Sequence, residues 1–254
     1  MIQNYLSNKK FWEKRSENYA KIFYPSELIK YSEGIKNTHS YWQYSNTNYV
    51  LLGKIIENES KKELSNSYKM FFLKNKMYST FYASDRVVDE LVYGNVGSER
   101  FSGINVSWLN AGGAVFSTPK DILHFSIKYL KTLIEKKEDW IDTKTGKSAK
   151  STLESAYLKG FFRMNTPYGI VYYTPGLVPG FTTGLIYSPC LATSAAYIVN
   201  RSPLNNFHEF MINKILGNLY RNKEYITALK SKNSDKKYCD YVIPSDKFNF
   251  TNMN

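Results

Sequence analysis

At 254 residues with 43% hydrophobic content, the chain can bury a sizeable core as one large domain or two lobes, which excludes a disordered protein. Its formal charge of +12 is spread along the chain without a long basic run. This reads as a solvated basic surface and excludes a clustered, specific nucleic-acid footprint. No stretch approaches the roughly 18 apolar residues of a membrane span.

The N-terminus, Met1 to Lys21, is polar and charged and lacks the apolar h-region of a secretory signal. As written, the chain is expected in the cytoplasm; a periplasmic location would need an upstream export signal. Tyr24-Pro25-Ser26-Glu27 reads as a turn followed by a short helix capped by Ser26. A polar loop over 36–48 leads into a helix whose apolar positions Val50, Leu51, Leu52, Ile55 and Ile56 fit one face. A second helix over Leu64–Leu73 puts Tyr68, Phe71 and Phe72 on its apolar side. Residues 76–107 are rich in Ser, Gly and Tyr and read as irregular.

Asn110 to Phe125 carries a glycine pair, Gly112-Gly113, and then a helix start: Ser117 or Thr118 as cap, Pro119 at the first position and Asp121 in the first turn. That helix is predicted to run to about Leu133. Residues 135–151 read as a charged linker or hairpin. Gly169–Tyr173, Gly184–Tyr187 and Thr193–Val199 are short β-branched or aromatic runs separated by Pro- and Gly-bearing turns, as in an antiparallel meander. Residues 206–220 form an amphipathic helix with Phe207, Phe210, Met211, Ile215, Leu216 and Leu219 on one face. Beyond about residue 229 the chain is charged and polar.

The two cysteines, Cys190 and Cys239, do not make a disulfide framework. The three histidines, His39, His124 and His208, are far apart and have no neighbouring ligand at metal-site spacing. No cofactor or metal is expected. The chemistry-bearing candidates are Tyr44 and Asn46, at the junction of the polar loop with its helix, and the turn-bearing segment Thr174-Pro175-Gly176-Leu177-Val178-Pro179-Gly180-Phe181. In a Tyr- and Asn-rich chain, Tyr44-Ser45-Asn46 also fits a loop with an Asn cap.

Three blocks in order resemble the serine β-lactamase and penicillin-binding-protein-like family, in its class C β-lactamase, DD-peptidase and esterase branch. Tyr44-Ser45-Asn46 with Asn48–Gly53 is similar to the Tyr-x-Asn motif and its helix. Asn110–Phe125 is similar to the Gly-Gly block, and Thr174–Phe181 to the strand bearing a Lys/His-x-Gly triplet. The likeness covers roughly residues 5–220. It implies an α/β (α+β) fold with an antiparallel sheet flanked by helices and a helix-rich lobe. The domain would span 1–228, with a polar tail over 229–254.

The resemblance further implies acyl transfer, in which a Ser attacks a carbonyl, a Lys three residues on and a Tyr share the proton, and backbone N–H groups hold the oxyanion. By position, Tyr44 would be the proton-transfer Tyr and Asn46 would orient substrate. Thr174 would stand at the Lys/His position, Gly176 would let the backbone approach the ligand, and the Leu177 N–H would donate to the oxyanion. The family's Ser-x-x-Lys would fall before Met1. Ser7–Lys10, Ser117–Lys120 and Ser234–Lys237 do spell the tetrad, but about three are expected by chance at this Ser and Lys content. Lys144-Thr145-Gly146 spells a third motif inside the charged linker and reads as a turn.

The expectation is therefore an N-terminally incomplete or degenerate relative that binds a peptide or peptidoglycan-like ligand without full catalytic activity. Apolar surface would be left uncovered, or filled by an upstream split-gene segment. The alternatives are an active serine hydrolase using an unusual nucleophile, and a basic binding module.

Overall fold

A computed structural model describes residues 4–35, 43–88, 92–101, 105–135, 140–142, 148–149, 155–204, 207–224 and 226–227. The chain divides into two compact units. The first is Met1–Gly94 with Ser98–Asp121; the second is Asn95–Gly97 with Ile122–Asn254.

The first unit is mainly helical. A 3-10 turn at Tyr5–Ser7 leads into α1 (Lys9–Glu17), which Asn8 caps by accepting the Lys10 N–H at 2.9 Å. Helix α2 (Pro25–Lys30) starts with Pro25 at its first position and Tyr24 as the cap residue. Ser26 is thus inside the helix and does not cap it, contrary to the sequence reading; the fixed φ of Pro25 sets the start one residue earlier. Helices α3 (Asn46–Ser60) and α4 (Leu64–Lys74) follow. The buried side of α3 is Asn46, Thr47, Val50 and Gly53, while Leu52, Ile55 and Ile56 are exposed. The apolar face read from the sequence is therefore split: Val50 enters the core, Leu51 is half-buried, and Leu52, Ile55 and Ile56 face outward. On α4, Leu64 and Phe72 are buried and Phe71 is exposed. Strand β1 (Phe81–Tyr82), β3 (Glu99–Phe101), a 3-10 segment at Ser107–Gly112 and β4 (Val115–Phe116) complete the unit, with β1 pairing antiparallel with β4; of the short β2 (Gly94–Val96), Asn95 and Val96 belong to the second unit. Around α1 and α2 the core is mainly aromatic: Tyr5, Phe11, Phe23 and Trp108 are buried together with Leu28.

Helix α5 (Pro119–Glu135) starts where the sequence places it. Thr118 caps it by accepting the Asp121 N–H at 3.3 Å, and Asp121 in turn accepts from the Thr80 hydroxyl at 2.8 Å and the Ser79 N–H at 2.7 Å.

The second unit is a seven-stranded antiparallel sheet. Its strands are β5 (Trp140–Asp142), β6 (Ser148–Ala149), β7 (Ser155–Leu158), β8 (Phe161–Thr166), β9 (Gly169–Val178), β10 (Phe181–Ser188) and β11 (Thr193–Val199), ordered β11-β10-β9-β8-β7-β5-β6. The meander expected from the sequence is present as β9–β11, with β9 and β10 longer than predicted. The pair β5–β6 confirms a hairpin within 135–151. Strands β7 and β8 were not anticipated; their turn places Lys159 and Gly160 at positive φ, 48° and 95°.

Both faces of the sheet are covered. On one, Leu130, Ile122 and Phe125 of α5 pack with Phe161, Ile170, Tyr172 and Leu185. On the other, Ile212 and Leu216 of α6 (Phe207–Arg221) pack with Met164, Val171, Ile186 and Tyr197. Phe210, expected on the buried face of α6, is exposed, and Ile212 takes that role. The Tyr197 hydroxyl meets His208 Nδ1 at the first turn of α6. Gly184 lies beneath this ring: a Cβ there would fall 2.2 Å from the Tyr197 hydroxyl. Cys190, in the turn after β10, is disulfide-bonded, a bond the spacing did not suggest; Cys239 lies outside the described residues.

Candidate functional site

In the first unit the candidate residues converge on the start of α3. Ser45 is extended (φ −141°, ψ 120°), and its C=O accepts the Asn48 N–H at 3.1 Å to open the helix. The turn from strand-like to helical backbone places Tyr44 partly in solvent and Asn46 in the interior, at 8% exposure. The Tyr44 hydroxyl donates to Asn46 Oδ1 at 3.4 Å, and its ring lies 5.4 Å from that of Tyr49. Burial, and then the neighbouring Tyr49, push the Tyr44 hydroxyl up from its ordinary value, which keeps it protonated.

The loop bearing the glycine pair holds this arrangement from one side. Asn110 adopts φ 43°, which turns its C=O to accept the N–H groups of Gly113 at 3.2 Å and Ala114 at 2.9 Å. Gly112 then abuts α3: a Cβ at this position would stand 3.1 Å from Asn46 Oδ1 and 3.5 Å from Tyr49 Cβ. Two buried polar atoms here, Ser45 Oγ and Asn110 Oδ1, have no hydrogen-bond partner among the described residues.

Sequence reasoning missed Tyr5. Its N–H donates to Thr47 Oγ1 at 3.0 Å and its hydroxyl donates to the Trp108 C=O, tying the N-terminal turn to both α3 and the loop. Burial first, then the proximity of Tyr44, push the Tyr5 hydroxyl up. A lone Tyr at the start of an aromatic-rich segment carries no local motif, so only the tertiary contacts reveal it.

In the second unit, Thr174, Gly176 and Leu177 lie on β9. There β9 pairs with β10 through Thr174 opposite Leu185, Gly176 opposite Thr183 and Leu177 opposite Thr182. Strand β8 pairs with β9 only as far as Tyr173. From Thr174 to Val178, β10 is therefore the only partner strand of β9 among the described residues, which leaves backbone groups on the other side of this stretch for a ligand. Gly176 has a local reason to be glycine: a Cβ would fall 2.2 Å from Thr183 Oγ1. Leu177 is exposed.

The Ser-x-x-Lys tetrads do not assemble a nucleophile among the described residues. Ser7 is exposed in the first 3-10 turn. Ser117 Oγ is 2.7 Å from Thr80 Oγ1, whose own hydrogen goes to Asp121, so Ser117 serves the start of α5. Ser234–Lys237 and Lys144-Thr145-Gly146 lie outside the described residues. Among the described residues no cluster of three His, Cys, Asp or Glu side chains could hold a metal ion, and no helix is long and apolar enough to cross a membrane.

A helical unit presenting Tyr44 and Asn46 at a helix start, and a unit built on an antiparallel sheet covered by helices, define a β-lactamase/transpeptidase-like fold. The chain belongs to the beta-lactamase family, whose model matches residues 8–216. Among solved structures it is similar to a D-stereospecific amidohydrolase from a Streptomyces species (16% identity, TM-score 0.72, covering 85% of this chain and 69% of that one). It is similar also to the D-amino acid amidase of Ochrobactrum anthropi SV3 (21%, TM-score 0.60, 78% and 69%). The penicillin-binding protein of Bacillus halodurans gives 14% identity and a TM-score of 0.62, covering 84% and 70%. At such identities the likeness shows the fold alone. Comparison with curated protein sequences gives no match.

Proposed function

We propose that this β-lactamase-family chain binds a peptide or peptidoglycan-like ligand and does not complete acyl transfer on its own. The observation that carries this reading is the environment of Tyr44. A tyrosine takes a proton near neutral pH only when a nearby cation pulls its pKa down from about 10. Here burial and Tyr49 both push it up. Tyr44 and Asn46 then serve as neutral hydrogen-bonding groups, one hydroxyl and one amide, suited to the carbonyl and N–H groups of a peptide. Thr174, at the position of the family's cation, offers a hydroxyl to a ligand carboxylate, a weaker contact than a charge-assisted bond. The names of two structural neighbours, a D-stereospecific amidohydrolase and a D-amino acid amidase, make a peptide ending in a D-amino acid the ligand to test first.

Labelling with a fluorescent penicillin and with a fluorophosphonate tests the reading. The expected outcome is no covalent label, together with reversible binding of a peptide ending in D-alanine. Stoichiometric label on a single serine of this chain would overturn it in favour of an active serine hydrolase.

A further inference from the structure

Arg15, in the last turn of α1, is half-buried. Its guanidinium carbon lies 4.8 Å from the ring centre of Trp108, 5.3 Å from that of Tyr19 and 5.9 Å from that of Trp12. Three neighbouring cations have carboxylate partners: Lys9 pairs with Glu13, Lys14 with Glu17 and Lys21 with Glu27. Arg15 has no hydrogen bond or ion pair among the described residues. Its faces meet aromatic rings while its in-plane N–H groups have no acceptor among the described residues, although burial already disfavours its charge.

We propose that Arg15, Trp12, Tyr19 and Trp108 form a binding site for a carboxylate carried on an apolar or aromatic body. A guanidinium presents its N–H donors as a planar fork that matches the two oxygens of a carboxylate. The rings hold the fork in place, which lowers the ordering cost on binding. The rim favours an organic acid over a bare anion, because Trp12 is 41% exposed and Tyr19 63% exposed, offering ring surface to the rest of the ligand. The site is one residue removed from the start of α3, since Tyr5 bonds both the Trp108 C=O and Thr47. It does not depend on whether Tyr44 takes part in acyl transfer.

The test is a titration of the ¹⁵N-labelled full chain, following the indole N–H signals of Trp12 and Trp108. These donate to the C=O groups of Leu6 and Asn105 and so report the cage from within. The probes are N-acetylphenylalanine, its neutral amide, and inorganic phosphate. Saturable shifts are expected with the acid and not with the amide. Arg15→Gln should weaken binding about tenfold or more, the scale of one lost charge-assisted pair. Tyr19→Ala, at an exposed position, should weaken it while leaving the free spectrum intact, and it decides the matter if Arg15→Gln does not fold. The proposal is overturned if the acid leaves both indoles unmoved, if the amide shifts them equally, or if phosphate alone does so. Unchanged affinity in a folded Arg15→Gln chain would also overturn it.

Discussion

Asn46 is held by what its neighbours lack as much as by what they supply. Gly112 is close enough that one methyl group would press on the Asn46 amide oxygen at 3.1 Å and on Tyr49 at 3.5 Å. Asn110 is bent to φ 43° to bring that glycine in. Gly112→Ala should therefore displace the Asn46 amide and cost about 1 kcal/mol of stability, the low end of overpacking effects. Urea unfolding measures the cost, and the Asn46 side-chain amide signal reports the displacement; an unmoved signal at unchanged stability would refute the contact. The positions of Tyr44, Asn46 and the glycine pair were legible because they form local patterns. Tyr5, Trp108 and Arg15 were not, since each gains its meaning from partners up to about a hundred residues away, as with Tyr5 and Trp108.

At the scale of elements, the strands that were misread are those whose pattern the tertiary structure overrides. Strand β8 buries Arg163, Asn165 and Thr166 beside Phe161 and Met164, so it shows neither a clean alternation nor an apolar run. Helix α3 carries Leu52, Ile55 and Ile56 outward while a glycine, Gly53, faces inward, where a Cβ would fall 2.8 Å from Ala111 Cβ. Hydrophobicity alone points such a helix the wrong way. The β9–β10 ladder is the converse case, a glycine dictated by its cross-strand neighbour. Gly176→Ala should cost about 1–3 kcal/mol because the new methyl group meets Thr183 Oγ1. Thr183→Ala removes that oxygen and leaves Thr183 Cβ at an ordinary 3.5 Å. In a double-mutant cycle the second change should recover most of the loss. Strictly additive costs would show that Gly176 is required for another reason.

Across the whole molecule, the most pervasive electrostatic feature is a set of tyrosines whose ionisation is suppressed by burial. Tyr5, Tyr44, Tyr68, Tyr82, Tyr173 and Tyr197 are all pushed up, with Tyr173 reaching about 12. They are drawn from both units. In the unfolded chain each ionises near 10. A group whose folded pKa is raised binds its proton more tightly in the native state, so its contribution is intact below pH 10 and is lost as pH rises beyond it. For Tyr173 the window of loss runs from about 10 to about 12. Tyr173 alone costs about 1.4 kcal/mol per pH unit there, once the unfolded chain has ionised and the folded one has not. Urea unfolding from pH 8 to pH 11.5 should show stability with no tyrosine-dependent slope up to near pH 10, then a fall steeper than lysine deprotonation alone gives. Tyr173→Phe and Tyr197→Phe separate the two contributions, because the lysines are the same in parent and variant. Each substitution should make the alkaline slope shallower than the parent's, and the phenolate absorbance that each substitution removes should belong to the parent's unfolding step and not to its folded state. A parent and variants with identical slopes would mean that these hydroxyls ionise freely in the native state, and that the aromatic interior is open to water.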